Sequence, residues 1–322
     1  LAAISSRTNR TIRFDQPVSA SAVDAISRIN YTFWLWSLAS ISPPRLELTN
    51  IVPDPVVEDS GHQKKVICLS GGVDSVSSAI AAKAESNYTH GLLIAGADYP
   101  SAEHQGFIEL QDRVDAICKI IGLDLVVVET NFRTMMSLDW ELHHSFLLAM
   151  SLHYHSDLFS EGSYALDAPP INEIIQHPWG NCFALMHLFS LKALPLRAYG
   201  NLMHRAERAK FISNYSTELI NKLSVCWVDT STGSNCGHCL KCRRTRDIFD
   251  HIGISTKEMF KNHPDPSKNE KIRIPNDYTV RMKLVAYADW AMSIEKDTPR
   301  GRELEGNIER LRRSYVRQMP YR

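Results

Sequence analysis

The chain has 322 residues, of which 44% are hydrophobic and 22% charged, a composition typical of a globular protein with a sizeable core. Lysine plus arginine and aspartate plus glutamate both number 36, so no net field attracts nucleic acid or an anionic membrane. No apolar run reaches the ~18 residues that a bilayer span needs. We therefore expect no membrane partner, and the charge balance argues against nucleic acid.

Residues 1–63 predict an N-terminal α/β extension. Strands at 11–14 and 45–48 flank a helix at 21–40, and prolines punctuate the segments between them. The helix carries a cluster of four aromatic residues. Core packing or a partner interface is favoured for this cluster over base stacking, because basic residues do not interleave with it. The aromatic residues are Tyr31, Phe33, Trp34 and Trp36.

Strands and helices alternate through the middle of the chain, which predicts an α/β domain at 64–250 with a Rossmann-like parallel sheet. Open sheets of this kind bind ligands at the carboxyl ends of their strands. The predicted strands are 66–69, 91–97, 125–129, 158–162 and 195–199. The predicted helices are 74–84, 103–121, 142–153, 183–192 and 205–223.

A glycine pair with polar neighbours lies between the first strand and the first helix of this domain: Ser70, Gly71, Gly72, Val73, Asp74 and Ser75. Adjacent glycines allow backbone N–H groups to approach an anion, the serines offer hydroxyl groups, and a helix N-terminus favours negative charge. Asp74 adds a candidate magnesium ligand. A simple Gly-Gly turn with a helix cap is the structural alternative, but a cap needs neither both glycines nor all three polar neighbours. The pattern predicts a phosphate-binding loop.

Four cysteines are spaced for one metal site: Cys226, Cys236, Cys239 and Cys242. Two-residue gaps suit a tight knuckle, and a fourth thiolate would complete tetrahedral zinc coordination. An iron–sulfur cluster is the main competitor, since the same spacing also ligates clusters. Disulfides fit less well because seven cysteines is an odd number and no signal peptide opens the chain. We therefore expect a cytoplasmic protein with bound zinc.

The 70–75 loop resembles the PP-loop of ATP pyrophosphatases such as GMP synthetase and NAD synthetase. Together with the cysteine spacing it is similar to QueC, the 7-cyano-7-deazaguanine synthase, over about residues 64–250. The resemblance implies that the loop and Asp98 bind ATP with Mg²⁺. Arg205, in His204-Arg205-Ala206-Glu207, stands where that family has the lysine of Thr-Lys-Ala-Glu. Arg205 and Lys210 are thus the candidate cations, with Asp74 the third catalytic residue.

The QueC resemblance implies a carbon–nitrogen ligase-like reaction in which ATP adenylates the carboxylate of 7-carboxy-7-deazaguanine and releases pyrophosphate. The family's acceptor motifs are absent here, so a related or macromolecular acceptor is the alternative. Some QueC-like proteins with terminal extensions belong to antiphage defence systems. Glu161, Asp167, His177 and Trp179 are the candidate acceptor-site residues. The structural alternative for Glu161 is a cap of the next turn, and for His177 and Trp179 it is a packed loop.

Residues 251–322 predict a C-terminal helical extension, with helices at 279–293 and 302–317. Either extension offers a surface on which a partner protein could dock, and a homodimer is one option for the oligomeric state. Two other function classes stay open: a PP-loop enzyme that modifies tRNA or DNA, and a non-catalytic ATP-binding subunit. The first would need a basic surface, and the second is favoured by the altered acceptor motifs.

Overall fold

The structure is a computed structural model in which part of the chain is described. The described residues are 11–36, 46–54, 64–136, 140–170, 179–226, 228, 231–260, 287, 290–291 and 293–318. None of the helices in these segments is long and apolar enough to cross a membrane.

The N-terminal segment forms two short parallel strand pairs around one helix. Strand β1 is Ile12–Phe14, β2 is Val18–Ser19 and helix α1 is Ala20–Trp36. Strand β3, Leu46–Leu48, pairs with β1, and β4, Ile51–Val52, pairs with β2. The predicted strand–helix–strand pattern is confirmed for the part of the chain that is described.

The central region alternates strands and helices as predicted, and all its strands are parallel. The strands are β5 Lys65–Cys68, β6 His90–Ala95, β7 Asp124–Glu129, β8 Glu161–Ser163 and β9 Leu196–Arg197. The helices are α2 Val73–Ser86, α3 Gln105–Ile121, α4 Phe132–Met136, α5 Trp140–His153, α6 Phe183–Phe189, α7 Arg205–Tyr215, α8 Glu218–Lys222, α9 Leu240–His251 and α10 Pro299–Gln318.

The strand order is β7-β6-β5-β8-β9, the order of a doubly wound α/β sheet. The chain moves outward from β5 to β7 and then returns to the other side of β5 with β8. The order therefore reverses between β5 and β8. Open parallel sheets bind their ligands in the crevice outside the carboxyl ends of strands at such a point. The predicted fold class is confirmed, and the topology locates the crevice.

Successive residues of β5 point to opposite faces of the sheet and build two cores. Ile67 and Leu69 pack with α2 and α3 on one face. Val66 and Cys68 pack with α5 and α6 on the other, where Ile29 of α1 joins them. The N-terminal helix thus shares a core with the sheet, and the division of the chain at residues 63 and 250 stays a prediction.

Several predicted elements differ from the structure. The strand predicted at 195–199 covers only Leu196–Arg197, and the helix predicted at 183–192 ends at Phe189. The helix predicted at 205–223 is interrupted between α7 and α8, where Ser216 is extended with φ −161°. Serine and threonine hydroxyls compete for backbone groups and favour helix ends, and Thr217 follows directly. The strand predicted at 158–162 begins only at Glu161. The helix predicted at 279–293 lies mostly outside the described residues.

Candidate anion site and four-cysteine centre

The predicted phosphate loop connects β5 to α2 at the point where the strand order reverses. Gly71 has φ +77°, a left-handed conformation that favours glycine, and Gly72 precedes the first helical residue. Among the described residues, no side-chain hydrogen bond caps the N-terminus of α2, which begins after Gly72. Ser70 lies exposed, and its Oγ is 3.2 Å from the Oγ of Ser75. The loop therefore presents a helix N-terminus and the exposed Ser70 hydroxyl at the carboxyl edge of the sheet.

We expect Gly71→Ala to reduce the stability of the protein and Gly72→Ala to weaken ligand binding by the loop. A Cβ on Gly71 would be 3.2 Å from Cγ2 of Val114 in left-handed backbone, so this variant should lose about 1–2 kcal/mol of unfolding free energy. A Cβ on Gly72 would have its nearest neighbour at 3.5 Å, so Gly72→Ala should fold normally yet bind ATP more weakly. Urea denaturation and ATP titration measure the two effects, and equal destabilisation of both variants would contradict the prediction.

The carboxylate of Asp74 is held by two arginines from α7. Arg205 Nη2 donates to Asp74 Oδ2, and Arg208 Nη1 donates to Oδ1 at 2.7 Å. Burial alone would raise the pKa of Asp74, but the two guanidinium charges outweigh it and hold the pKa below its ordinary value. Asp74 is therefore ionised at neutral pH, within a site where the cations outnumber it.

Arg208 was not identified from the sequence, although it lies three residues from Arg205 on the same face of α7. Its side chain is 1% exposed and also donates to the carbonyl oxygens of Leu166, at 2.7 Å, and Met203, at 3.0 Å. Lys210 was expected near the phosphates, but it is exposed on the side of α7 away from both arginines. Arg208, not Lys210, is the second cation beside Asp74.

Asp98 lies three residues beyond Ala95, the last residue of β6, at the same carboxyl edge of the sheet as the loop. It is 3.8 Å from Arg133 Nη1, which also donates to the Ala97 carbonyl at 2.6 Å. The Arg133 guanidinium in turn lies 4.5 Å from the ring centroid of Trp140. Asp98 is thus placed at the crevice with a cation as its neighbour.

Asp167 follows β8 and lies at the same edge, next to the Leu166 carbonyl that Arg208 binds. Trp179 Nε1 donates to Asp167 Oδ2 at 2.9 Å, and His144 Nε2 is 3.8 Å from the same oxygen. The structure therefore brings two of the predicted acceptor-site residues together. His177 lies outside the described residues.

His144 of α5 was not among the candidate site residues singled out from the sequence, and the structure places it against Asp167. Its Nδ1 lies 2.9 Å from the Trp140 carbonyl oxygen. Nδ1 must be the donor of this hydrogen bond, because a carbonyl oxygen can only accept. Its Nε2 faces a carboxylate, so both ring nitrogens have acceptors. Burial lowers the pKa of His144, but the hydrogen bond and charge of Asp167 outweigh it and raise the pKa. Burial raises the pKa of Asp167, and His144 more than reverses that shift.

Glu161 was expected to end its strand at the crevice, and this expectation is wrong. Glu161 begins β8 and is paired in register with Lys65, which begins β5, so it lies at the amino edge opposite the loop. There its carboxylate accepts from the hydroxyls of Tyr88 and Tyr199 and pairs with Arg197 Nε at 2.8 Å. This buried polar network accounts for the residue without a ligand.

The four predicted cysteines converge in the structure. Their Sγ atoms all lie within 4.8 Å of one another, with Cys226 and Cys239 4.0 Å apart and Cys236 and Cys242 3.8 Å apart. Tetrahedral zinc with Zn–S bonds of ~2.3 Å places its sulfurs about 3.8 Å apart. A four-iron cluster binds each cysteine to a different iron and needs sulfurs that stand farther apart. The spacing fits a single tetrahedral ion.

Local structure explains how the knuckle forms. Gly237, with φ +80°, allows the tight turn after Cys236. The amide of Cys239 donates to the sulfur of Cys236, and that of Cys242 to the sulfur of Cys239, both at 3.4 Å. Cys239 also caps the N-terminus of α9. Backbone donors aimed at sulfur favour thiolates, the form that binds a metal.

Comparison with protein families and with curated proteins gives no match. Among solved structures, the chain is similar to the U34-tRNA thiolase NcsA from Methanococcus maripaludis, a structure with its [4Fe-4S] cluster. The identity is 12% and the TM-score 0.27, over 80% of this chain and 72% of that chain. At this level neither the reaction nor the cluster transfers to this chain. The class that the fold and site define is a doubly wound α/β protein with a glycine-containing loop at the reversal point of its sheet and a four-cysteine centre.

Proposed function

We propose that this protein is a PP-loop enzyme that uses ATP to adenylate a carboxylate-bearing acceptor and releases pyrophosphate. The observation that carries the proposal is the 70–75 loop at the reversal point of the sheet, with Asp74 held by the buried Arg205 and Arg208. A Ser-Gly-Gly-x-Asp-Ser sequence in this position combines an anion-binding helix terminus with fixed cations. A simple turn requires neither feature.

The charges around the loop favour a polyphosphate. Arg205 and Arg208 face the single carboxylate of Asp74. Lys241 adds a third cation, whose charge also lowers the pKa of Asp74 and Asp167. These three cations outnumber the carboxylates of Asp74 and Asp167, and Asp98 is matched by Arg133. An excess of positive charge therefore remains in a partly buried crevice, where electrostatic interactions are stronger than in bulk water.

The proposed reaction begins when a carboxylate oxygen of the acceptor attacks the α-phosphorus of ATP. A new P–O bond forms, the bond from the α-phosphorus to the bridging oxygen breaks, and its electron pair leaves with pyrophosphate. Negative charge grows on that leaving group, and the guanidinium charges of Arg205 and Arg208 beside Asp74 would stabilise it. The acyl adenylate then carries AMP, a good leaving group, which ammonia displaces to give an amide in a QueC-like reaction.

Asp74 is the residue that would hold Mg²⁺. A carboxylate offers about four lone-pair positions, and the two arginines use one on each oxygen, so acceptor capacity remains for a metal ion. The ion would supply further charge neutralisation at the triphosphate. Asp98, at the neighbouring strand end, is the second carboxylate proposed for the nucleotide side of the crevice.

Asp167 and Trp179 are proposed to form the acceptor side, next to the loop. The Arg208 side chain joins the two halves, since it binds both Asp74 and the carbonyl of Leu166, the residue before Asp167. The acceptor proposed is 7-carboxy-7-deazaguanine or a related carboxylate, including one delivered by a partner protein docked on a terminal extension. An antiphage defence context and a homodimer belong to the same proposal.

Zinc is proposed for the four-cysteine centre because the sulfur spacing matches one tetrahedral ion. Four protein thiolates fill the coordination sphere, so the ion would stabilise the fold without binding substrate. The residues that would hold it are Cys226, Cys236, Cys239 and Cys242.

Incubation with ATP, Mg²⁺, ammonia and 7-carboxy-7-deazaguanine tests this proposal. We expect pyrophosphate release that depends on the acid, with AMP formed in equal amount. Efficient formation of the free nitrile would identify the QueC acceptor, and pyrophosphate release without nitrile would indicate a changed acceptor. ATP binding without pyrophosphate release for any acid tried would favour a non-catalytic subunit. Release that requires tRNA or DNA would favour the nucleic-acid-modifying alternative.

A further inference from the structure

One short backbone segment touches both the phosphate loop and the four-cysteine centre. The amide of Ser224 donates to the carbonyl of Gly71 at 2.8 Å. Two residues later, Cys226 contributes its sulfur to the metal site. Gly72 lies beside the same segment, because a Cβ added to it would be 3.5 Å from the Ser224 carbonyl oxygen. The two sites are therefore joined by a link of three residues.

Asn235 fixes this link from the knuckle side. It is fully buried and precedes Cys236 in the sequence. Its Oδ1 accepts from the amides of Val225, at 2.7 Å, and Cys226, at 3.1 Å. Its Nδ2 donates to the carbonyls of Leu223, at 2.8 Å, and Met259, at 3.0 Å. Four hydrogen bonds in a buried position leave the 223–226 segment little freedom to move independently of the knuckle.

A second connection comes from α9. Lys241 lies in the first turn of this helix, between Cys239, which caps it, and Cys242, which is fully buried. Both neighbours belong to the four-cysteine centre, so a metal bound there fixes the turn that carries Lys241. The positive charge of Lys241 lowers the pKa of both Asp74 and Asp167. Its effect is smaller than that of the two α7 arginines on Asp74 and that of His144 on Asp167.

We propose that metal binding at the four cysteines and nucleotide binding at the phosphate loop are energetically coupled, with Asn235 and Lys241 as positioning residues. This inference rests on the proposed function, since it requires that the loop bind a nucleotide. Metal binding holds Cys226 and the first turn of α9 in place. The Ser224–Gly71 hydrogen bond and the Lys241 charge then act on the loop.

Such coupling is reciprocal by thermodynamic necessity. If bound zinc raises the affinity for a nucleotide by some factor, the nucleotide raises the affinity for zinc by the same factor, and typical factors are about 5–150. A zinc site that only stabilised a remote part of the fold would show no such change. Zinc affinity thus reports on the coupling without any measurement of turnover.

The experiment is a competition for Zn²⁺ between the purified full chain and a chromophoric chelator. It is run with and without a Mg²⁺-saturated, non-hydrolysable ATP analogue. We expect the analogue to strengthen zinc binding by at least about fivefold. Lys241→Ala should reduce this factor to less than half, and Lys241→Arg should restore most of it. Lys119→Ala is the matched control, because Lys119 is exposed on α3 and pairs only with Asp115 among the ion pairs described.

The outcomes distinguish the two proposals. If the zinc-loaded protein does not bind the analogue, the proposed function fails and the coupling fails with it. If the analogue binds but zinc affinity is the same in its presence and absence, the coupling alone is overturned. If the analogue increases zinc affinity by the same factor in Lys241→Ala and in the parent protein, Lys241 takes no part in the coupling. Failure of the chain to bind Zn²⁺ would overturn the coupling as well.

Discussion

Replacing Asp74 with alanine is expected to lower ATP-dependent pyrophosphate release by at least ~100-fold, equivalent to about 3 kcal/mol of transition-state stabilisation. The same change should reduce the free energy of unfolding by about 3 kcal/mol, because it removes the carboxylate that neutralises the buried charges of Arg205 and Arg208. Pyrophosphate release and urea denaturation measure the two effects. Unchanged turnover, or unchanged Mg²⁺-dependent ATP binding, would contradict the role of Asp74.

A double-mutant cycle measures how much the ion pair between Asp74 and Arg208 contributes to stability, independently of catalysis. Asp74→Asn and Arg208→Met each break the same pair, so their stability losses should not add in the double variant. Arg28→Ala is the matched surface control, since Arg28 pairs with Asp24 in an exposed position and should change stability by less than about 1 kcal/mol. Additive losses in the cycle would show that Asp74 and Arg208 do not interact.

The pH dependence of stability gives a further check on Asp74. Its pKa is lower in the folded protein than in the unfolded chain, so its contribution is fully present above the unfolded value of about 3.9. That contribution is lost as the pH falls through the folded pKa. The stability difference between the parent protein and Asp74→Asn should therefore be constant near neutrality and shrink in acid.

The parts of the site that depend on local sequence were predictable. The 70–75 loop has a glycine pair between an apolar run and a helix, and the four cysteines have the spacing of a metal knuckle. Each pattern requires only short-range geometry: a left-handed Gly71 in one case and a turn at Gly237 in the other. Strand and helix alternation likewise fixes the parallel sheet through general rules of chain connection.

The residues that were missed depend on tertiary placement. Arg208 and Lys210 are both basic residues of α7, and only the buried face of the helix shows which of them meets Asp74. His144 lies in a helix whose pattern indicates no polar site, and its partner Asp167 comes from a different element. A long-range ion pair leaves no short-range pattern in either segment.

Glu161 was misplaced because of a strand boundary. A start at 158 would put Glu161 near the carboxyl end of the strand, whereas the register places it opposite Lys65 at the amino end. An error of three residues moves a side chain by about 10 Å along a strand, enough to transfer it between the edges of a short sheet. Asp167, beyond the true end of β8, takes the crevice position instead.

The four-cysteine centre is expected to dominate the stability of the protein. With free zinc at ~1,000 times its dissociation constant, bound metal stabilises the folded state by about 4 kcal/mol. Cys226→Ser should lose that contribution and most of the bound metal, and a chelator should produce the same loss reversibly in the parent protein. Metal analysis and thermal denaturation are the measurements.

Cys118→Ala is the matched control for this prediction. Burial raises the pKa of the Cys118 thiol to about 12, so it stays protonated as a small apolar side chain of the core. The substitution should leave the metal content unchanged and cost clearly less stability than Cys226→Ser. Cys68 and Cys182, which are also buried, should behave in the same way.

The colour of the purified protein distinguishes zinc from an iron–sulfur cluster at the four-cysteine centre. Zinc has a filled d shell, so about one ion per chain should leave the protein colourless, whereas an iron–sulfur cluster would make it brown. The sulfur spacing of 3.8 and 4.0 Å for two of the pairs is the basis for expecting zinc. A brown protein with several irons and sulfides per chain would contradict it, and would require the four sulfurs to move apart to reach different irons.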